Sequence, residues 1–372
     1  MHLHALSLAD FRNYEKLDFR PSEGLNVLLG PNAQGKSGIL EAIYVLATSK
    51  SHRTSHDADM IRIGQQMAKV HGDIKRTARN DVSLEIILSR SDSKTVKINT
   101  VRHPRIGDIV GQLNAVIFSS SDLDMVKGEP SRRRRFLNLE ISQVSPQYVY
   151  SLGRCKRVLE QRNNLLKDIR SGTAKSTGLA VWDRQLAEYA ASVITRRERF
   201  IGLLRESAVR IYSLLTQQSE RLEIAYRPSP EEALGRGEQE IGEMLTSLMA
   251  SRTDADIARG STLIGPHRDE VLLTVNGMPL REYGSQGQQR TAALSLKLAE
   301  VDLIERAVGE APVALLDDVM GELDETRRRQ VLSLVLGRCQ TLVTTTHISE
   351  IAPEIRDQAS VFELASGRVT PR

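Results

Sequence analysis

Cysteine is nearly missing from this 372-residue chain: Cys155 and Cys339 lie far apart and fit no paired-thiol or zinc spacing. That excludes a disulfide scaffold and a cysteine-held zinc, and points to a reducing compartment. Aromatic residues are 4% of the chain, too few for a row of base-stacking platforms on single-stranded nucleic acid. No stretch approaches the roughly 18 consecutive apolar residues of a membrane span. Met1-His2-Leu3-His4 lacks the charged flank and apolar run of a secretory signal. Nor does one sign of charge dominate. Lysine and arginine number 51 against 47 acids, a net +4 that permits a polyanionic partner without demanding one. A soluble cytoplasmic protein is expected, with two or three units at roughly 100–200 residues each.

What is present alternates between two periods. Residues 3–11, 25–29, 82–88, 94–98 and 114–118 read as strands, and 38–47 reads as an apolar helix. From about 120 to 218 the period is helical, with a break at Ser171–Gly178, which suggests two long helices joined by a loop. Strand patterns return at 221–226 and 270–275, the latter followed by the hairpin dipeptide Asn276-Gly277. A helix at 287–307, a strand at 313–316, a helix at 325–337 and a strand at 341–346 close the chain. The expectation is an α/β head formed by 1–120 and 220–372, interrupted by a helical arm at 121–219.

Gly30-Pro31-Asn32-Ala33-Gln34-Gly35-Lys36-Ser37 fits G-x-x-x-x-G-K-[ST] between an apolar strand and an apolar helix. Such a loop turns its backbone N–H groups around phosphate oxygens at the positive end of a helix. Lys36 would reach the β- and γ-phosphates of ATP, and the Ser37 hydroxyl would ligate Mg²⁺. The plain alternative is a glycine-rich turn with a solvated lysine. Val313–Leu316 ends in two acids, which suits Asp317 as a metal ligand and Asp318 as the group orienting the attacking water. A strand running into an acidic helix cap would look the same. Ser285-Gln286-Gly287-Gln288 opens a helix and offers a second anion site, or an ordinary cap. One nucleotide has no need of two distant helix starts, but two subunits sharing it would. Gly321-Glu322-Leu323-Asp324 follows the acidic strand. His347, after the last strand, is a candidate sensor or a loop histidine.

In this order the motifs resemble the ATPase heads of the ABC and SMC class. Phe11-Arg12-Asn13-Tyr14, Ser51-His52-Arg53, Gly265-Pro266-His267-Arg268-Asp269, Ser285–Gln288 and Leu316-Asp317-Asp318-Val319 narrow the resemblance to the RecF family of bacterial recombination mediators. It spans about residues 3–347. It implies an ABC/SMC-type P-loop head, a DNA-binding ATPase that dimerises on ATP at gapped or junction DNA, and RecA loading through RecO and RecR. It further implies Gly30–Ser37 on ATP, Ser37 and Asp317 on Mg²⁺, Ser285 on the γ-phosphate held by the opposite subunit, and Arg12 and Asn13 near adenine and ribose. Asp318, where faster ABC ATPases carry glutamate, agrees with slow, switch-like hydrolysis. Two positions depart from the family pattern: Ser121 replaces a usual proline, and Asn138 replaces a usual carboxylate.

Basic residues concentrate between Lys127 and Arg170, with eleven lysines and arginines against four acids, densest at Arg132, Arg133, Arg134 and Arg135. Such a patch suits sequence-independent contact with duplex backbone, beside a single-strand gap. A solvated helix face is the plainer reading. The competing function is the ATPase subunit of an ABC transporter. The basic arm, the Ser-Gln-Gly-Gln signature and the separation of 248 positions from Ser37 to Ser285 oppose it.

Overall fold

The computed structural model describes the chain apart from Leu323 and Ser366 and the side chains of Glu322 and Glu354. Leu323 of the expected Gly321–Asp324 motif therefore lies outside the described residues. In chain order the elements are β1 (His2–Phe11), β2 (Tyr14–Phe19), β3 (Leu25–Leu29), α1 (Lys36–Thr48), β4 (Met67–Lys75), β5 (Val82–Ser89), β6 (Thr95–Ile98), β7 (Val101–His103) and β8 (Ala115–Phe118). Then come α2 (Leu123–Lys127), α3 (Pro130–Val144), α4 (Pro146–Arg170), α5 (Leu179–Leu215), β9 (Leu222–Arg227), α6 (Glu238–Ser251), α7 (Thr253–Arg259), β10 (Glu270–Val275), β11 (Met278–Pro279) and α8 (Leu280–Tyr283). The chain closes with α9 (Gln286–Val308), β12 (Val313–Leu316), α10 (Glu325–Val335), β13 (Thr341–Thr345), α11 (Pro353–Arg356), β14 (Ser360–Ala365) and β15 (Arg368–Pro371).

Two compact units emerge: 1–123 with 210–219 and 290–372, and 124–209 with 220–289. In the first, an antiparallel sheet runs β2-β1-β4-β5-β6-β7, and a second sheet runs β15-β14-β3-β13-β12-β8. The second sheet is parallel except at β15. Helix α1 buries Gly38 through Thr48 without a polar face, because core residues of both sheets pack around it. The parallel order β3-β13-β12-β8 brings the C-terminal ends of four strands to one edge, where open α/β sheets bind ligands.

The second unit holds α3, α4, α6, α7, α5 as far as residue 209 and the three-stranded sheet β11-β10-β9. Its boundary differs from the expected one: 220–289 clusters with the helices, not with the head. The reason is pairing. β9 and β10 zip together antiparallel from Leu222/Val275 to Arg227/Glu270 in a sheet of their own, and Arg133 of α3 chelates Glu270. The expected pair of long helices is in fact three, because Ser145 and Pro146 end α3 and start α4, with the Ser145 hydroxyl capping the Tyr148 N–H. Asn276 and Gly277 both take positive φ (51° and 78°), as the primed turn requires. Both cysteines are free and buried, and burial pushes each thiol up to about 12.

Candidate nucleotide-binding site

Residues 30–37 leave β3 and wrap into the start of α1. Gly35 sits at φ 100°, and a Cβ there would meet the Tyr14 hydroxyl at 2.6 Å and Asn13 Nδ2 at 2.8 Å, so only glycine fits. Gly30 is equally constrained, since its Cβ would lie 2.5 Å from the Leu364 carbonyl. Pro31, Asn32 and Ala33 form an exposed crest with Ala33 left-handed at φ 65°, while Gln34 is half-buried. Beneath them the buried Lys36 donates to the Gly30 and Pro31 carbonyls at 2.6 and 3.1 Å, closing the loop on itself. Among the described residues the ammonium is held by carbonyls of its own loop.

Asp317 and Asp318 emerge from β12 beside this loop. Asp317 lies near Ser37 and accepts from Thr344 Oγ1 at 3.0 Å. Burial raises its pKa, the neighbouring Asp318 adds to the rise, and the Ser37 and Thr344 hydrogen bonds work against it. Asp318 is exposed and left-handed at φ 53°, a turn held by its N–H on Thr344 Oγ1 at 2.8 Å. Among the described residues no group of three or more His, Cys, Asp or Glu would hold a metal unaided. A hydroxyl and one carboxylate nevertheless suit Mg²⁺, which usually takes one or two protein ligands plus phosphates. His347 is exposed past β13, with its N–H on Thr345 Oγ1 at 3.2 Å.

Arg12 stands at the end of β1 and clamps Glu41 of α1 through two bonds of 2.8 and 2.6 Å. Burial would raise the Glu41 pKa, but hydrogen bonds from Arg12 and Ser51 outweigh it and hold it below the ordinary carboxylate value. Asn13 is exposed next to Gly35. The polar triplet Ser51-His52-Arg53 closes the site: Ser51 bonds Glu41, Arg53 lies 3.7 Å from it, and His52 approaches Asp317. Sequence reasoning gave Glu41, His52 and Thr344 no role. The polar run Ser49–His56 after an apolar helix was the available signal.

In the second unit, Ser285 and Gln288 cap α9 reciprocally: the Ser285 N–H reaches Gln288 Oε1 at 2.9 Å, and the Gln288 N–H reaches Ser285 Oγ at 3.2 Å. Ser285 and Gln286 are exposed, Gly287 is half-buried, and Gln288 also donates to Glu220 at 2.9 Å. The capping role uses the Ser285 oxygen as acceptor and leaves its hydroxyl hydrogen able to donate.

The RecF/RecN/SMC N terminal domain family model matches residues 2–368. The DNA replication and repair protein RecF of Oceanobacillus iheyensis is 42% identical over 99% of this chain and 100% of its own length, and that of Shouchella clausii is 43% identical over 99% of both. The chain belongs to the RecF family. A solved structure of the recombination mediator protein RecF-ATP is 33% identical with TM-score 0.93, covering 100% of this chain and 97% of its own. An Smc head bound to the C-winged helix domain of ScpA, 15% identical with TM-score 0.55, shares the fold. The head is thus of ABC/SMC ATPase type.

Against the RecF pattern, Asn138 has a structural use: its Oδ1 accepts from the Tyr148 hydroxyl and from Arg197, both at 2.8 Å. Two donors meeting one amide oxygen do not require a carboxylate. Near Ser121, a turn is held by the Ser119 N–H on Asp122 Oδ2 at 2.8 Å. The arginine run is less open than its composition suggests. Arg133 is buried and bidentate on Glu270 at 2.7 and 2.8 Å, so its charge is paired within the fold. Arg134 donates to the Asp269 carbonyl, Arg135 is half-buried, and Arg132 is exposed. Arg162, another of the eleven basic residues, is buried between Asp183 and Asp256.

Proposed function

We propose that this chain is an ATP-gated DNA-binding protein of recombinational repair and replication restart. Gly30–Ser37 would cradle the triphosphate, with Arg12 and Asn13 on the base and ribose side. Bound Mg²⁺ would neutralise charge developing on the phosphate oxygens. Ser37 and Asp317 are the groups that would hold it, Lys36 would pair with the phosphates, Asp318 would orient water, and His347 would sense the terminal phosphate. The observation that carries this reading is the loop closed by Lys36 on the Gly30 and Pro31 carbonyls, with Asp317 near Ser37 at its edge. A relative sharing a third of the sequence was solved with ATP, which supports it.

Exposed Ser285 and Gln286, with Gly287 and Gln288, would complete the cradle of a second copy, so ATP would drive a homodimer. Hydrolysis, weak and stimulated by DNA, would release it. Ligand linkage sets the scale: a state that alone binds ATP gains about 2.7 kcal/mol at a hundredfold excess over Kd. Arg132 and the exposed Arg154, Lys156 and Arg157 of α4 would meet duplex phosphates next to a single-strand gap. Relatives described within the RecFOR pathway make RecO and RecR the proposed protein partners and promotion of RecA loading the proposed outcome, in the cytoplasm. A transporter subunit is disfavoured by the family, and among the described residues no helix is long and apolar enough to cross a membrane.

Sedimentation with and without ATP and a gapped duplex, across a salt series, tests the reading. Dimers should require ATP, and Ser285→Arg should bind ATP as a monomer. A Ser285→Arg protein that dimerises normally with ATP defeats the shared cradle.

A further inference from the structure

One imidazole beside the metal carboxylate has no assigned task. His52 lies in the loop after α1, and that loop is pinned: Ser51 Oγ bonds Glu41 and accepts the N–H groups of Arg53 and Thr54 at 2.9 and 3.1 Å. The ring stands edge-on to Tyr44 with centroids 5.7 Å apart. Its side chain is 7% exposed, and its Nε2 is 4.0 Å from Asp317 Oδ2, just outside hydrogen-bond range. Nδ1 is buried with no partner among the described residues.

These facts assign the tautomer. An N–H buried without an acceptor costs more than an unpartnered lone pair, so the proton belongs on Nε2, facing Asp317. A neutral donor next to a cation site avoids the repulsion an imidazolium would impose.

We propose that His52 is a positioning residue for Asp317, donating Nε2–H to Oδ2 when nucleotide and Mg²⁺ enter, while Thr344 holds Oδ1. Thr344 holds Oδ1, and Oδ2 is the oxygen that stands near His52. A donor there fixes the carboxylate plane and hence the direction of the lone pair offered to the cation. Partners of this kind behind a ligand are worth about 10–100-fold in metal affinity. His52 would act through Asp317 and touch neither the phosphates nor the ion. The inference rests on the nucleotide reading above.

The test is equilibrium binding of a fluorescent non-hydrolysable ATP analogue to the full chain, in EDTA and across a Mg²⁺ titration. His52→Ala is expected to raise the half-saturating Mg²⁺ concentration at least about tenfold while leaving affinity in EDTA unchanged. His52→Gln, whose Nε2 extends to the same place, should recover most of the loss, and His52→Asn should not. That contrast carries the test if the alanine variant folds poorly, because a merely structural role would not separate the two amides by magnesium requirement alone. A wild-type magnesium requirement in His52→Ala, or equal behaviour of Gln and Asn, overturns this inference alone. A wild-type chain that binds no nucleotide overturns the nucleotide reading and this one together.

Discussion

Replacing Arg197 with methionine tests whether Gly265-Pro266-His267-Arg268-Asp269 is a structural hub. Its guanidinium is 2% exposed and donates to the Tyr148 hydroxyl at 3.0 Å, the Pro266 carbonyl at 2.6 Å, Asp269 Oδ2 at 2.6 Å and Asn138 Oδ1 at 2.8 Å. Asp269, fully buried, also accepts from the Tyr226 hydroxyl and the Ser229 N–H. Methionine matches the stem but leaves a buried carboxylate without its counter-charge, a loss worth about 3–5 kcal/mol. At roughly 2–4 °C per kcal/mol for a unit of this size, the melting midpoint should fall by about 6–20 °C. Thermal unfolding followed by circular dichroism gives the value. The double variant Arg197→Met/Asp269→Asn should recover part of the loss, since the unpaired charge is then gone. A single-variant shift under about 2 °C would show that the cluster is dispensable and the motif owes its presence to something else.

Gly35→Ala forces a left-handed alanine against Tyr14 and Asn13, a placement costing about 1–2 kcal/mol before any clash. Calorimetric titration should show ATP affinity down at least about tenfold, and wild-type affinity would contradict the loop geometry. The Arg12–Glu41 clamp has a defined pH sign. The Glu41 pKa is depressed from 4.5, so its pairing stabilises above that value and is lost as pH falls through the lower folded value. The stability gap between wild type and Glu41→Gln in chemical unfolding should therefore close in acid, and a gap independent of pH would refute the assignment. Filter binding to duplex DNA over a salt series should show a slope shallower by about 0.9 for Arg132→Ala. Arg133→Ala, breaking the Glu270 pair, should instead lower the melting temperature.

The turn at 30–37 was legible because its signal is local: Gly30, Gly35, Lys36 and Ser37 stand together between a strand and a helix, and the structure places that turn there. The strands 25–29 and 313–316 were legible as short apolar runs, since a parallel strand buried on both faces shows no alternation. Antiparallel β4 alternates cleanly in burial yet escaped notice, because Lys69, His71 and Asp73 on its other face interrupt the apolar signal. Which charges of the basic segment face water was not legible for a related reason: sequence counts charges, and only packing decides that Arg133 and Arg162 meet carboxylates. Glu41 and Asp317 lie 276 positions apart in the chain, yet His52 stands between them with Asp317 4.0 Å away. That arrangement depends on parallel strands aligning their C-terminal ends, a long-range order no local pattern encodes. Sequence alone determined the glycine-rich turn between β3 and α1 and the alternation of strand and helix. Tertiary structure decided which sheet β9 and β10 join, which arginines face water, and which polar side chains surround Asp317, because each depends on partners distant along the chain.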